Sequence, residues 1–124
     1  MQFIDANILV KAYTENPDKE DCRFILQTDF VTNTLCFLEA YHSISIIKQD
    51  KEYAWQCIKA IFKGKGIIYE LDQFLLFEGL KRGQECSLGV FDLIHYTTAL
   101  QANCEQIVSY DKDFDNLEIK RVEP

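Results

Sequence analysis

Short apolar runs that recur between stretches of helical periodicity leave a chain of this length few architectures. Phe3-Ile4, Phe30-Val31-Thr32, Ile67-Ile68-Tyr69-Glu70-Leu71 and Gln106-Ile107-Val108-Ser109 are brief and rich in β-branched or aromatic residues, and Ile119-Lys120-Arg121-Val122 is a short closing run. Each reads as a strand. Between them, apolar residues fall at helical spacing. Ile8, Leu9, Ala12 and Tyr13 begin a helix directly after the first strand. A second helix starts near Asp18, turns Cys22, Ile25 and Leu26 inward and stops before Thr28-Asp29. The third runs from Leu35 to about Lys48 behind Thr34 as its N-cap. A fourth, with Tyr53, Trp55, Cys57, Ile58, Ile61 and Phe62, reaches Lys63; a fifth spans about Asp72 to Glu85; the last opens at Val90 and runs past Leu100. Strands alternating with helices predict an α/β fold, three layers deep, with a central parallel sheet of four to five strands covered on both faces.

With 124 residues, the chain reads as a single compact domain over 1–124, long enough to hide roughly two-thirds of its unfolded surface. No apolar run approaches the ~20 residues of a membrane span, and Phe3-Ile4 is too short for a signal-peptide core, so the expectation is a cytoplasmic protein. The five cysteines, Cys22, Cys36, Cys57, Cys86 and Cys104, are odd in number and contain no Cys-x-x-Cys pair. That argues against a disulfide framework or a structural zinc site and for buried reduced thiols. A net charge of −7 argues against binding nucleic acid through a broad basic face. It is compatible with carboxylates gathered around a cation, or with a basic partner. Trp55 and the aromatic run Phe74, Phe77 read as core.

Four acids carry the functional reading. Asp5 ends the first strand, where ligands of open α/β sheets bind, although Asp is also a favoured N-cap. Glu39 falls in one sector of the third helix with Leu35, His42 and Ile46 at about 100° per residue, so it points where the core should be and needs a partner. Asp92 lies in the first turn of the last helix, which the helix dipole alone would favour. Asp111 follows the fourth strand. All four fall at one edge of the predicted sheet, and neighbouring carboxylates raise one another's pKa unless a cation joins them. Oxygen ligands of this kind suit Mg2+ or Mn2+, and the chemistry that follows is metal-assisted phosphodiester hydrolysis.

These residues resemble the PIN-domain nucleases, in particular the small VapC-like ribonuclease toxins. Ile4-Asp5-Ala6-Asn7-Ile8-Leu9 is similar to the family's first motif, Leu38-Glu39-Ala40 to its helical Glu, and Phe91-Asp92-Leu93-Ile94 to its helix-opening Asp. Val108-Ser109-Tyr110-Asp111-Lys112-Asp113-Phe114 is similar to its last motif. The resemblance implies Asp5, Glu39, Asp92 and Asp111 as the catalytic metal ligands, with Asn7 and Ser109 orienting them. Asp113 reads either as an outer ligand or as a cap of the Phe114 turn. The resemblance also implies an RNA substrate, often transfer or ribosomal RNA, an antitoxin protein whose basic segment blocks the site, and a homodimer. Tyr41, Ile44, Tyr53 and Trp55 are apolar candidates for the dimer surface.

Several readings compete. Basic residues are sparse: Lys11, Lys48, Lys81, Arg82 and Lys112 are the candidates near a substrate groove, and each reads better as solvated surface. Glu39-x-x-His42 and Asp92-x-x-His95 have the i, i+3 spacing of di-iron carboxylate bundles, but the strands do not fit a bundle. Packing or hydrogen bonding behind the ligands is the favoured role for both histidines. A phosphorylated receiver with Asp5 as acceptor does not call for Glu39. A housekeeping RNA-processing nuclease and a degenerate PIN domain that only binds remain the alternative functions.

Overall fold

The computed structural model describes residues 1–124. Its elements are β1 (Gln2–Ile4), α1 (Ala6–Ala12), α2 (Lys19–Ile25), β2 (Phe30–Asn33), α3 (Thr34–Lys48), α4 (Lys51–Phe62), β3 (Gly66–Tyr69), α5 (Gln73–Arg82), α6 (Val90–Gln101), β4 (Gln106–Val108), a 3-10 turn (Lys112–Phe114) and β5 (Lys120–Val122). The five strands form one sheet in the order β3-β2-β1-β4-β5, parallel throughout. With its six helices this is the three-layer α/β/α arrangement expected from the alternation. No helix is long and apolar enough to cross a membrane.

Strand order explains where a site belongs. From β1 the chain steps outward to β2 and β3, then returns to the other side of β1 as β4 and continues to β5. The direction reverses between β1 and β4, and beyond the carboxyl ends of two such strands a parallel sheet opens a crevice. β1 is the middle strand, so Phe3 and Ile4 are fully buried and pack with Ile8, Leu9, Phe30, Val31, Ile107, Val108 and Phe114. α1 packs on α2 and α3, and α3 on α4, while α5 pairs with α6, which lies against β1 and β2. Two glycines mark close approaches. A Cβ on Gly66 would stand 2.5 Å from the Phe30 ring, and one on Gly79 would stand 2.5 Å from Ile94 Cδ1, so β3 and α5 sit where only hydrogen fits.

The structure corrects several expectations. The N-cap of α3 is Asn33, whose carboxamide oxygen accepts from Cys36 N–H at 2.8 Å. Thr34 is the first helical residue, and its hydroxyl accepts from Leu71 N–H instead. The buried face of α3 is Cys36, Phe37, Ala40 and Ile44 beside Leu35, whereas His42 is exposed and Ile46 is 60% exposed. Glu39 therefore lies at the margin of the core and not inside it. α5 ends at Arg82, short of Glu85.

Trp55 is 50% exposed and Phe74 and Phe77 are each 65% exposed, contrary to the core reading. Their helices are amphipathic, but the face turned inward is carried by Ala54, Cys57, Ile58 and Ile61 on α4 and by Leu75 and Gly79 on α5. Ile44, a candidate for the dimer surface, is fully buried. All five cysteines are free; four are buried, but Cys86 is only partly covered.

Candidate active site

Asp5 stands where β1 stops. Its N–H still donates to Val108 O at 3.1 Å, so the β1–β4 ladder runs up to the acid itself. Beyond that its backbone is extended and α1 begins, with Oδ1 accepting from Ala6 N–H at 2.7 Å. Oδ2 accepts from the Ser109 hydroxyl at 2.6 Å and from the Asn7 side-chain amide at 3.2 Å. Asn7 also donates to Ser109 Oγ at 3.1 Å, and Asp111 N–H donates to the same oxygen at 3.0 Å. Asp5 is thus both a helix cap and a carboxylate held rigidly at the cleft. Burial, opposed by His95 and by the Ser109 and Ala6 bonds, leaves its pKa above the ordinary carboxylate value.

Asp92, Asp111 and Asp113 form an outer group, one oxygen of each lying within 4.8 Å of the others. α6 opens at Gly89 without a side-chain cap, and Asp92 fills its first turn, where the helix dipole favours an anion. Asp111 follows β4 and caps the 3-10 turn by accepting from Asp113 N–H at 2.9 Å. The turn is therefore capped by Asp111, which leaves the Asp113 carboxylate beside the other two. No basic side chain forms an ion pair with any of the three. Burial first, then the charges of Asp5 and Asp111, push Asp92 up to about 7.

Glu39 meets a histidine. Its Oε1 lies 2.5 Å from His95 Nε2, and that nitrogen is 4.0 Å from Asp5 Oδ1. His95 is fully buried, unlike Glu39, whose side chain is 30% exposed to the cleft. The surroundings on balance raise the ring's proton affinity: burial opposes a cation, but Cys36, Glu39 and Asp5 outweigh it. Hydrogen bonding fixes where the ring proton sits. The Asn33 oxygen is committed to the α3 cap, so its amide nitrogen faces His95 Nδ1 at 3.1 Å and Thr98 Oγ1 at 3.0 Å. The Thr98 hydroxyl donates in turn to Ile94 O at 2.8 Å and has only its lone pairs left for Asn33. Nδ1 therefore accepts from Asn33, and Nε2–H donates to Glu39.

All four predicted acids, Asp5, Glu39, Asp92 and Asp111, line one cleft of about 520 Å³ together with Asn7 and Lys11. Ser109 lies behind Asp5, and Asp113 stands at the exposed edge beside Asp111. Of the basic candidates only Lys11 lines the cleft, and its Nζ is paired with Asp18 at 3.1 Å. Lys48, Lys81, Arg82 and Lys112 do not line it. A separate hollow of about 380 Å³ between Tyr13, Arg23, Phe30 and Ile61 contains none of the acids. The outer group offers oxygen ligands alone and carries excess negative charge, which fits a hard divalent cation such as Mg2+ or Mn2+.

Two supporting residues, Asn33 and Arg121, were not legible as such, and a third, His95, was expected to pack or hydrogen-bond behind the ligands but without a named partner. Asn33 gives only a capping signal, and its second role needs α6 packed alongside. The Asp92-x-x-His95 spacing points to a shared ligand pair, yet His95 turns inward to Glu39 of another helix, and His42 is exposed. Arg121, on the edge strand β5, donates from Nη1 to Ser109 O at 2.9 Å while its Nε is paired with Asp115 at 2.6 Å. It fixes the backbone at the end of β4, and nothing in its sequence neighbourhood announces that.

Residues 3–120 match the family model for the PIN domain. No curated protein matches the sequence significantly. Among solved structures, the chain is similar to VapC20 of Mycobacterium tuberculosis, described as a sarcin–ricin loop cleaving toxin, with a TM-score of 0.82 at 11% identity over 100% of both chains. It is similar to a chain of a toxin–antitoxin complex from Klebsiella pneumoniae, with a TM-score of 0.77 at 14% identity over 100% of this chain and 98% of that one. A third likeness is to VapBC2 from Rickettsia felis bound to a DNA fragment from their promoter, with a TM-score of 0.73 at 16% identity over 98% of this chain and 97% of that one. At these identities the likeness is one of fold.

Proposed function

The chain belongs to the PIN-domain family, and from that premise we propose that it is a metal-dependent endoribonuclease serving as the toxin of a toxin–antitoxin pair. One observation carries the reading: Asp5, Glu39, Asp92 and Asp111 line a single cleft whose outer acids have no basic partner, and burial with the neighbouring charges raises the Asp92 proton affinity there. That is the electrostatics of a site made for a cation. Asp92, Asp111 and Asp113 would hold it from the outside, with Asp5 and Glu39 from within. Mg2+ or Mn2+ there would supply an acidified water and a counter-charge for the phosphodiester. Asn7 and Ser109 keep the Asp5 oxygens in one orientation, so the carboxylate enters the reaction already placed.

The partners follow from the same reading. The likeness to proteins solved as toxin–antitoxin complexes supports a cognate antitoxin, and a basic segment of that partner would complement an acidic cleft in a chain of charge −7. RNA as substrate implies the cytoplasm as the place of action. A homodimer is supported by apolar side chains left in water. Leu35, Leu75 and Ile94 join α3, α5 and α6 in a small cluster of their own. Around it Leu38, Phe74, Phe77, Val90 and Phe91 are all more than half exposed. Surfaces of this kind mark association sites.

The test is cleavage of total transfer and ribosomal RNA by the purified chain. We expect cutting with Mg2+ or Mn2+, none in EDTA, and none by Asp5→Asn. Expression of the wild-type chain, but not Asp5→Asn, arrests growth. Equal cleavage with and without a divalent ion overturns the mechanism, and growth unaffected by the wild type overturns the toxin role.

A further inference from the structure

His95 is a fully buried titratable side chain behind the cleft acids, beside the Cys36 thiol, that the reading above leaves without a task. It stands on α6 one turn after Asp92, yet it faces Glu39 across the gap to α3. The bonds around it form a directed chain. Ile94 O accepts from Thr98, Thr98 Oγ1 and His95 Nδ1 both accept from the Asn33 amide, and His95 Nε2–H donates to Glu39 Oε1. The direction is set at both ends by backbone groups, since the Asn33 oxygen is held by Cys36 N–H and the Thr98 proton by Ile94 O. Every donor meets an acceptor, and reversing any one bond would leave two donors or two acceptors face to face in a dry interior.

From this geometry we infer that His95 is a positioning residue for Glu39: its Nε2–H takes one carboxylate oxygen, Oε1, and would leave the other free for a cation bound at the cleft. Glu39 needs such a partner because it sits at the margin of α3's buried face on a flexible side chain. Without a fixed bond it would sample several rotamers, and ordering it would fall to the ion. The ring is well suited to the task, being rigid, wholly enclosed, and tied through Asn33 to the start of the helix that carries Glu39. A lysine or arginine there would bring a long flexible chain, whereas the enclosed ring presents a single N–H in one direction and orients the carboxylate. Groups that orient a ligand in this way are worth about 10–100-fold in metal affinity.

The inference rests on the metal-dependent reading above, and Mn2+ binding separates the two. Free Mn2+ is read by electron paramagnetic resonance during titration of the wild type, His95→Met and His95→Gln. Met fills the space without an N–H, and Gln restores one. We expect His95→Met to weaken binding by about tenfold or more and His95→Gln to stay within about threefold of the wild type. In a Glu39→Gln background, His95→Met should add nothing further. Equal affinity in His95→Met and the wild type, or an equal loss in both His95 variants, overturns the positioning role while the metal site stands. Absence of Mn2+ binding in the wild type overturns the metal site and this inference with it. Should His95→Met not fold, the wild type decides by nitrogen NMR of labelled histidine. A protonated Nε2 that shifts on adding Mg2+ supports the role, and a ring with no proton on Nε2 overturns it.

Discussion

Asp92→Asn should stabilise the ion-free protein at neutral and alkaline pH while leaving it unchanged in acid. Asp92 is pushed up to about 7 from an ordinary 3.8, by burial first and then by Asp5 and Asp111. At ~1.4 kcal/mol for each pH unit between those values, a wholly buried carboxylate would cost the folded state about 4 kcal/mol when ionised. Asp92 is only half-buried, and water in the cleft screens it, so the cost falls to about 1–2 kcal/mol. A folded-state pKa above the unfolded one means that the native protein holds the proton longer. Stability is then full below about pH 4, declines as pH rises from about 4 to 7, and is level above that. Asn carries no charge and removes this decline. Thermal unfolding followed by circular dichroism in EDTA, at about pH 4, 6 and 8, is the assay. At about pH 8 the variant should melt roughly 3–10 °C higher, at about 3–5 °C for each kcal/mol in a chain of this size. At about pH 4 the two should coincide. Adding Mg2+ should raise the wild-type melting temperature and narrow the gap. A variant that melts at or below the wild type at about pH 8, or a gap that does not change with pH, refutes the electrostatic argument.

Two further outcomes check the packing. Phe74→Glu with Phe77→Glu should convert a dimer to a monomer in size-exclusion chromatography while shifting stability by less than about 1 kcal/mol, because both rings stand in water in the single chain; an unchanged elution volume would remove α5 from the interface. Gly66→Ala should lower stability by about 1–3 kcal/mol in denaturant titration, since its Cβ would meet the Phe30 ring at 2.5 Å, and an unaltered midpoint would show that the ring can move aside.

The parallel sheet was legible because five short runs with β-branched residues alternate with helical periods, and the predicted strands fall within a residue or two of those observed. The cleft acids were legible for a related reason: a residue just beyond a strand, or in the first turn of a helix, has its place set by topology. Helix faces were harder. On α3, the sector containing Glu39, Leu35, His42 and Ile46 was read as buried, yet the helix crosses the core on Cys36, Phe37, Ala40 and Ile44. Rotation of a largely apolar helix about its axis is decided by its neighbours α1 and α4, not by its own pattern. Phe74, Phe77 and Trp55 misled for the opposite reason, since apolar character says that a side chain favours burial and not that this chain alone provides it. His95 and Asn33 pair across 62 residues, a distance over which local spacing carries no information.

The seam between β1 and β4 has a consequence for when the acidic cleft can form. Asp5 and the Ser109 hydroxyl that steadies it are 104 residues apart, and closing a loop of that length costs about 4 kcal/mol of chain entropy before any contact rewards it. A chain still emerging from the ribosome has Asp5, Asn7 and Glu39 early, but neither the strand that completes the crevice nor the acids of its far wall. The cleft therefore cannot form piecemeal during synthesis. Its assembly coincides with the closing of the sheet, so the nascent chain lacks the complete cleft until residues 106–113 are free to pair.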